Sequence, residues 1–242
     1  MNAVKSLIYR DLCIVKKPIT DTLWFIVAMG AVGLLMMLSV RCGNLRPMYE
    51  AEDKRLSAEF LMVTMESCFV MAVSIIFLYV ASQSDKKWES YIISTPITAN
   101  EFALSKTLVS ASSLVLALPV GVVYATAMGA IYPYGTVLPH IRLVIFIVSG
   151  LVILKSISDI SVKYFKSDKA GFAVMGIIGA IVMAAMYIKL VIMADTEDDL
   201  DIDTLIASLH LEITGPAAPF AAAAVIVLTH FVLKALYKRR AE

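Results

Sequence analysis

The sequence predicts an all-α, polytopic membrane protein, and three observations carry that prediction. Sixty per cent of the 242 residues are hydrophobic. The apolar residues gather into continuous blocks, and about 20 such residues in a helix cross the roughly 30 Å hydrocarbon core of a bilayer. Lysines and arginines cluster at alternate ends of those blocks. The runs are continuous where the strands of a membrane barrel would alternate, which argues against a β-barrel.

Six spans are expected, at 23–40, 60–81, 107–132, 141–165, 171–193 and 216–236. They form one transmembrane domain over 1–242, with no length left for a separate soluble domain. The flanks assigned to the cytoplasm carry Lys5, Arg10, Lys16 and Lys17, then Lys86, Lys87 and Lys106. They continue with Lys163, Lys166 and Lys169, then Lys234, Lys238, Arg239 and Arg240, which completes most of the 21 basic residues. The opposite flanks hold Arg41, Arg46, Lys54, Arg55 and Arg142. The positive-inside rule therefore predicts a multi-pass protein of the cell membrane with both termini in the cytoplasm. Loop 195–212, rich in Asp and Glu and without Lys or Arg, agrees with that orientation. The first apolar block is full length and lacks a small-residue cleavage site, so no cleavable signal peptide is expected. Cys13, Cys42 and Cys68 fall at three different depths and make neither a disulfide framework nor a metal site.

The connections carry further structure. In residues 2–17, Val4, Leu7, Ile8, Leu12 and Val15 recur at helical spacing among basic residues. This predicts an amphipathic helix at the inner membrane surface, which Pro18 ends or turns into the first span. The simpler alternative is an ordinary positive flank. Segment 82–106 is the longest cytoplasmic connection. Trp88, Tyr91 and Ile92 share one face of a short helix that Thr95-Pro96 stops. Thr98 and Glu101 then form a Thr-x-x-Glu capping box that starts a second helix into span three. Residues 41–59 read as a polar external loop and 133–140 as a short turn. Loop 195–215 is longer, with Leu205, Ile206, Leu209 and Ile213 at helical spacing.

Ionisable side chains inside a membrane are costly and mark functional candidates. Lys155 and Asp159 lie at i, i+4 on one face of span four and predict an intramembrane charge pair. It is read either as a self-neutralising pair whose lysine snorkels or as an element that transmits motion. Glu66 lies about 9 Å into span two and Lys189 about 6 Å into span five from the same side, at 1.5 Å per residue. They either pair between helices or act separately, Lys189 by snorkelling and Glu66 by facing a wet cavity. Gly176, Ala180 and Ala184 form a small-residue stripe on span five that permits close helix approach, within one bundle or between subunits.

Enzymatic readings fail on their motifs. Ser149-Gly150 and His230 lack the Gly-x-Ser-Gly context of an intramembrane serine protease, because position 147 is Ile. No His-Glu-x-x-His or comparable metal spacing occurs. No Gly-Lys dipeptide occurs, so there is no phosphate-binding P-loop, and no cofactor is expected on this chain.

The surface helix, the six spans and the run Trp88…Tyr91…Ser94-Thr95-Pro96-Ile97…Glu101…Ser105-Lys106 together resemble the six-span permeases of ABC-2 type transporters. The resemblance covers essentially the whole chain and is strongest to exporters of phenol-soluble modulins and antimicrobial peptides. It implies a type V exporter-like fold whose ATPase is a separate subunit that binds ATP and Mg. It implies that Lys87, Trp88, Glu89, Tyr91, Ile92, Pro96 and Glu101 belong to a coupling helix and its flank, which dock on that ATPase. Trp88 and Tyr91 as membrane-interface aromatics are the competing reading. It also implies a second copy of the permease, with Glu66, Lys189, Gly176, Ala180 and Ala184 near the translocation path or interface, and loop 195–215 as an external gate. The expected function is ATP-driven export of an amphipathic substrate, a peptide or lipophilic toxin. The expected partners are the ATPase, a second permease, the substrate and membrane lipid, with no nucleic acid. The alternatives are an ion-coupled secondary transporter, to which the Pro119 and Gly121 interruption in span three points, and a non-transporting immunity or scaffold protein.

Overall fold

The structure, a computed structural model, describes residues 3–42, 64–73, 97–131, 137–165, 211–241 and scattered positions between 167 and 184. All regular structure among the described residues is helical. Helix α1 spans Ala3–Cys42, α2 Thr64–Val73, α3 Ala99–Ile131, α4 Val137–Phe165 and α5 Leu211–Ala241. Further helical positions recur between 169 and 184, in the region expected as the fifth span. Among the described residues, four segments are long and apolar enough to cross a membrane: Leu23–Cys42, Ala99–Ile131, Val137–Phe165 and Ile213–Lys238. They coincide with the first, third, fourth and sixth expected spans. The expected second span is represented by α2, and its remainder lies outside the described residues. The protein is thus a helical membrane protein. Only 22–33% of each apolar window is buried, and Trp24, Phe25, Val123, Phe220 and Phe231 are exposed. Such a surface suits hydrocarbon, where outward-facing apolar side chains meet lipid and the backbone is satisfied within each helix.

Two prolines behave differently from expectation. Helix α1 runs without interruption through Pro18, so the expected surface helix and first span are one helix. At 1.5 Å per residue it is about 60 Å long, roughly twice the hydrocarbon thickness. Its basic first part therefore extends well beyond its apolar part. Likewise α3 continues through Pro119, so span three is not a broken helix. Proline removes one backbone hydrogen bond and strains a helix, but each helix continues for several turns on both sides of its proline here.

Helix α4 makes the broadest of the described helix contacts. It packs most broadly against α5 and next against α3, which in turn contacts α5 and α1. The main core joins Met37, Phe69, Val70, Tyr124, Met128 and Val144 with their neighbours. Phe69 and Tyr124 stack at 3.9 Å between ring centroids, 24° from parallel. Two glycines one turn apart on α1 make room for this pair. A Cβ at Gly30 would lie 2.8 Å from the Phe69 ring, and one at Gly33 would collide with the Tyr124 hydroxyl.

The α3–α4 contact is equally close, since a Cβ at Gly121 would lie 2.6 Å from Cγ1 of the fully buried Val144. Gly121→Ala is expected to cost about 1–3 kcal/mol, the usual magnitude for overpacking. Gly176→Ala meets open space and is expected to be neutral or slightly stabilising through helix propensity. Unfolding in mixed micelles of rising SDS content measures both; equal midpoints for the two variants would contradict this packing.

The bundle has two chemically different ends. At one, Leu7 of α1, Phe102 and Ile97 beside the start of α3, and Tyr237 of α5 pack together. At the other, Arg41 of α1 donates to the Ala130 carbonyl at 3.0 Å, a cation on the last carbonyls of α3. Glu66 and His140 meet at that second end.

Candidate functional site

Three polar or aromatic assemblies are built into this frame. The first lies where the connection after span two enters α3. Thr98 N and Oγ1 both donate to Glu101 Oε2 at 2.9 Å, and Glu101 N donates to Thr98 Oγ1 at 3.3 Å. This is a capping box: the threonine satisfies an orphan helix N–H and the glutamate reaches back to the cap. Glu101, expected in partner coupling, is thus engaged locally and fixes where α3 begins. The next residue, Phe102, is buried and meets Tyr237 edge-on at 4.3 Å. Lys106 Nζ lies 5.9 Å from the Phe102 ring and Lys163 Nζ 5.6 Å from the Tyr237 ring, within cation–π range. With Leu7 included, four helices meet at one aromatic junction. The remaining expected coupling residues, Lys87, Trp88, Glu89, Tyr91, Ile92 and Pro96, lie outside the described residues.

The Thr98 amide and hydroxyl hold the Glu101 carboxyl below its ordinary value of 4.5. Because the folded value is depressed, the cap contributes fully above the ordinary carboxylate range and is lost as pH falls through the folded value. Thr98→Ala is expected to speed amide hydrogen exchange in the first turn of α3 at neutral pH. Acidification is expected to loosen the same turn in the wild type. Unchanged protection in peptides covering 97–105 would contradict a stabilising cap.

The second assembly is a polar seam between α3, α4 and α5. Lys155 Nζ donates to Asp159 Oδ2, as their i, i+4 spacing predicts. Lys155 is only 3% exposed. Lys106, Thr107, Ser110, Ser156, Asp159 and Thr229 line the adjoining cleft. Four of these are hydroxyl residues, and each donates back to its own helix: Ser110 to Lys106 O, Ser156 to Val152 O, Thr229 to Val225 O, Thr107 to Ala103 O. Their hydrogens are thereby used, so their oxygens offer acceptors to the seam. A carboxylate and a set of hydroxyl oxygens make this a setting in which lysine ammonium groups are tolerated at low dielectric.

The third assembly was only half visible in the sequence. Glu66 is fully buried, and its Oε2 lies 2.8 Å from His140 Nδ1. His140 is also buried. Glu66 Oε1 and the Tyr124 hydroxyl have no hydrogen-bond partner among the described residues. The pair joins α2 to α4 beside α3. The sequence reading placed His140 in a connecting turn. The available signal was depth: His140 opens an apolar block at the same end at which Glu66 enters one. Lys189, the other partner considered for Glu66, lies outside the described residues. Gly176, Ala180 and Ala184 are exposed, so the small-residue stripe faces away from the described bundle. Among the described residues no group of three metal-ligating side chains occurs.

Comparison with family models, with characterised proteins and with solved structures gives no match for this chain.

Proposed function

We propose that the chain is the membrane-spanning permease subunit of an ATP-binding-cassette exporter with an ABC-2, type V exporter-like fold. In this reading it has six spans, lies in the cell membrane with both termini in the cytoplasm, and pairs with a second permease. A separate ATPase subunit binds ATP and Mg and docks on residues 87–93. The substrate is an amphipathic peptide or lipophilic toxin.

The observation that carries the reading is the aromatic junction. The proposed docking loop leads directly into Thr98, Glu101 and Phe102, and Phe102 packs on Leu7 and Tyr237. A displacement of the loop is thereby delivered to α1, α3 and α5 together, which is what a lever between an ATPase and a bundle requires. The exposed Gly176, Ala180 and Ala184 supply a surface for close approach of a second copy. Continuity of α3 through Pro119 removes the one feature that favoured an ion-coupled secondary transporter, whose sites are built on broken helices.

The test is co-expression with any ATP-binding-cassette ATPase that a gene next to this one encodes, purification through a tag on this chain, and measurement of ATP hydrolysis. Co-purification in equal amounts with vanadate-sensitive hydrolysis is expected. A chain that purifies without an ATPase overturns the reading.

A further inference from the structure

We infer that Glu66 Oε1 and the Tyr124 hydroxyl form a binding site for a single water molecule. The water completes one polar chain across three helices, from His140 of α4 through Glu66 of α2 to Tyr124 of α3. Glu66 is 0% exposed and Tyr124 6%. One Glu66 oxygen is taken by His140 Nδ1 at 2.8 Å. The other, Oε1, and the Tyr124 hydroxyl have no hydrogen-bond partner among the described residues. Buried polar atoms in folded proteins are nearly always hydrogen-bonded, so two unpaired ones in the same core call for a partner they share. The site belongs to the bundle itself and does not rest on the exporter reading.

The packing brings the two groups to one place. Glu66 precedes Phe69 by about one turn on α2, and the Phe69 ring stacks on that of Tyr124 at 3.9 Å. On the side of α1, a Cβ at Gly33 would collide with the Tyr124 hydroxyl and lie 3.8 Å from Cβ of Met65, the neighbour of Glu66. The hydroxyl is thus held against the first turn of α2. Phe69 and Gly33 crowd it from two sides, which selects the smallest polar guest. Water suits both ends, because it accepts from the phenol O–H and donates to a carboxyl oxygen. It also accepts from a protonated carboxyl, so the bridge forms whichever charge Glu66 carries. Two to four polar partners suffice to hold a buried water, and such a bridge is nearly as favourable as a direct hydrogen bond. Lys189, which lies outside the described residues, is the competing partner for Oε1.

The test uses the full wild-type chain in nanodiscs, exposed to millisecond X-ray pulses and read residue by residue by mass spectrometry. The pulse makes hydroxyl radicals from water, and these label side chains beside the water that produced them. Tyr164, 66% exposed, is the reference for bulk water, and Val152, buried among apolar neighbours, is the dry reference. Tyr124 is expected to be labelled to an extent comparable with Tyr164 despite its burial, and Val152 to stay unlabelled. A second readout is the midpoint of SDS unfolding. Tyr124→Phe is expected to lower it, because the water loses a partner, whereas removing a truly unpaired hydroxyl leaves it unchanged or raises it. The loss is expected to disappear in a Glu66→Met background; if that variant does not fold, the wild-type labelling and Tyr124→Phe decide. An unlabelled Tyr124 overturns the proposal and assigns Oε1 to a dry partner, Tyr124 itself or Lys189. A midpoint that Tyr124→Phe leaves unchanged or raises overturns it, as does a loss that persists without Glu66.

Discussion

Replacing Trp88 and Tyr91 together with alanine is expected to abolish co-purification of an ATPase partner while membrane insertion persists. Aromatic anchors dominate interfaces, and each truncation in a buried pocket costs about 2–4 kcal/mol. Two such losses weaken binding by about a thousandfold or more. Insertion depends on the apolar blocks, and both residues lie between blocks rather than within one. Substitutions at Lys87 and Glu89, which would lie on the rim of the contact, are expected to change association far less. A tagged permease that retains its ATPase after the double substitution would show that Trp88 and Tyr91 are interfacial aromatics and that docking occurs elsewhere.

Asp159→Ala is expected to be the most damaging single change in the polar seam. It leaves the buried Lys155 ammonium without its carboxylate, and breaking a buried pair costs about 3–5 kcal/mol. The neighbouring Lys106 on the same cleft then adds repulsion. Removing both partners, as Lys155→Met with Asp159→Leu, is expected to recover most of the loss, since an apolar replacement carries no desolvation cost. The wild type, both single variants and the double variant form a cycle measurable by SDS unfolding. A cycle without coupling would mean that Lys155 reaches water and the pair is incidental. Full stability of the double variant combined with lost transport would instead assign the pair a role in motion.

Local features were legible in the sequence and long-range ones were not. The Thr98–Glu101 box and the Lys155–Asp159 pair follow from spacing along one helix, and both have the expected partners. Four spans follow from composition and length, because a bilayer demands both of any crossing segment. Pro18 and Pro119 suggest interruptions in the sequence, yet both lie inside continuous helices. The cost of a proline is local, whereas a helix is held by all its bonds and by packing against its neighbours. His140 was missed because its partner is on another helix and no periodicity connects them. The same holds for Leu7, Phe102 and Tyr237, which are brought together from three distant parts of the chain. Trp88, Tyr91 and Lys189 lie outside the described residues.

The junction also sets an order on biosynthesis. Leu7 and Phe102 leave the ribosome well before Tyr237, which belongs to α5, the last of the described helices in chain order. Until that helix is inserted, Phe102 lacks its ring partner and the first helix lacks its clamp. Nascent chains halted before Tyr237 are therefore expected to expose Leu7 and Phe102 to membrane proteases and chaperones, and finished chains to hide them.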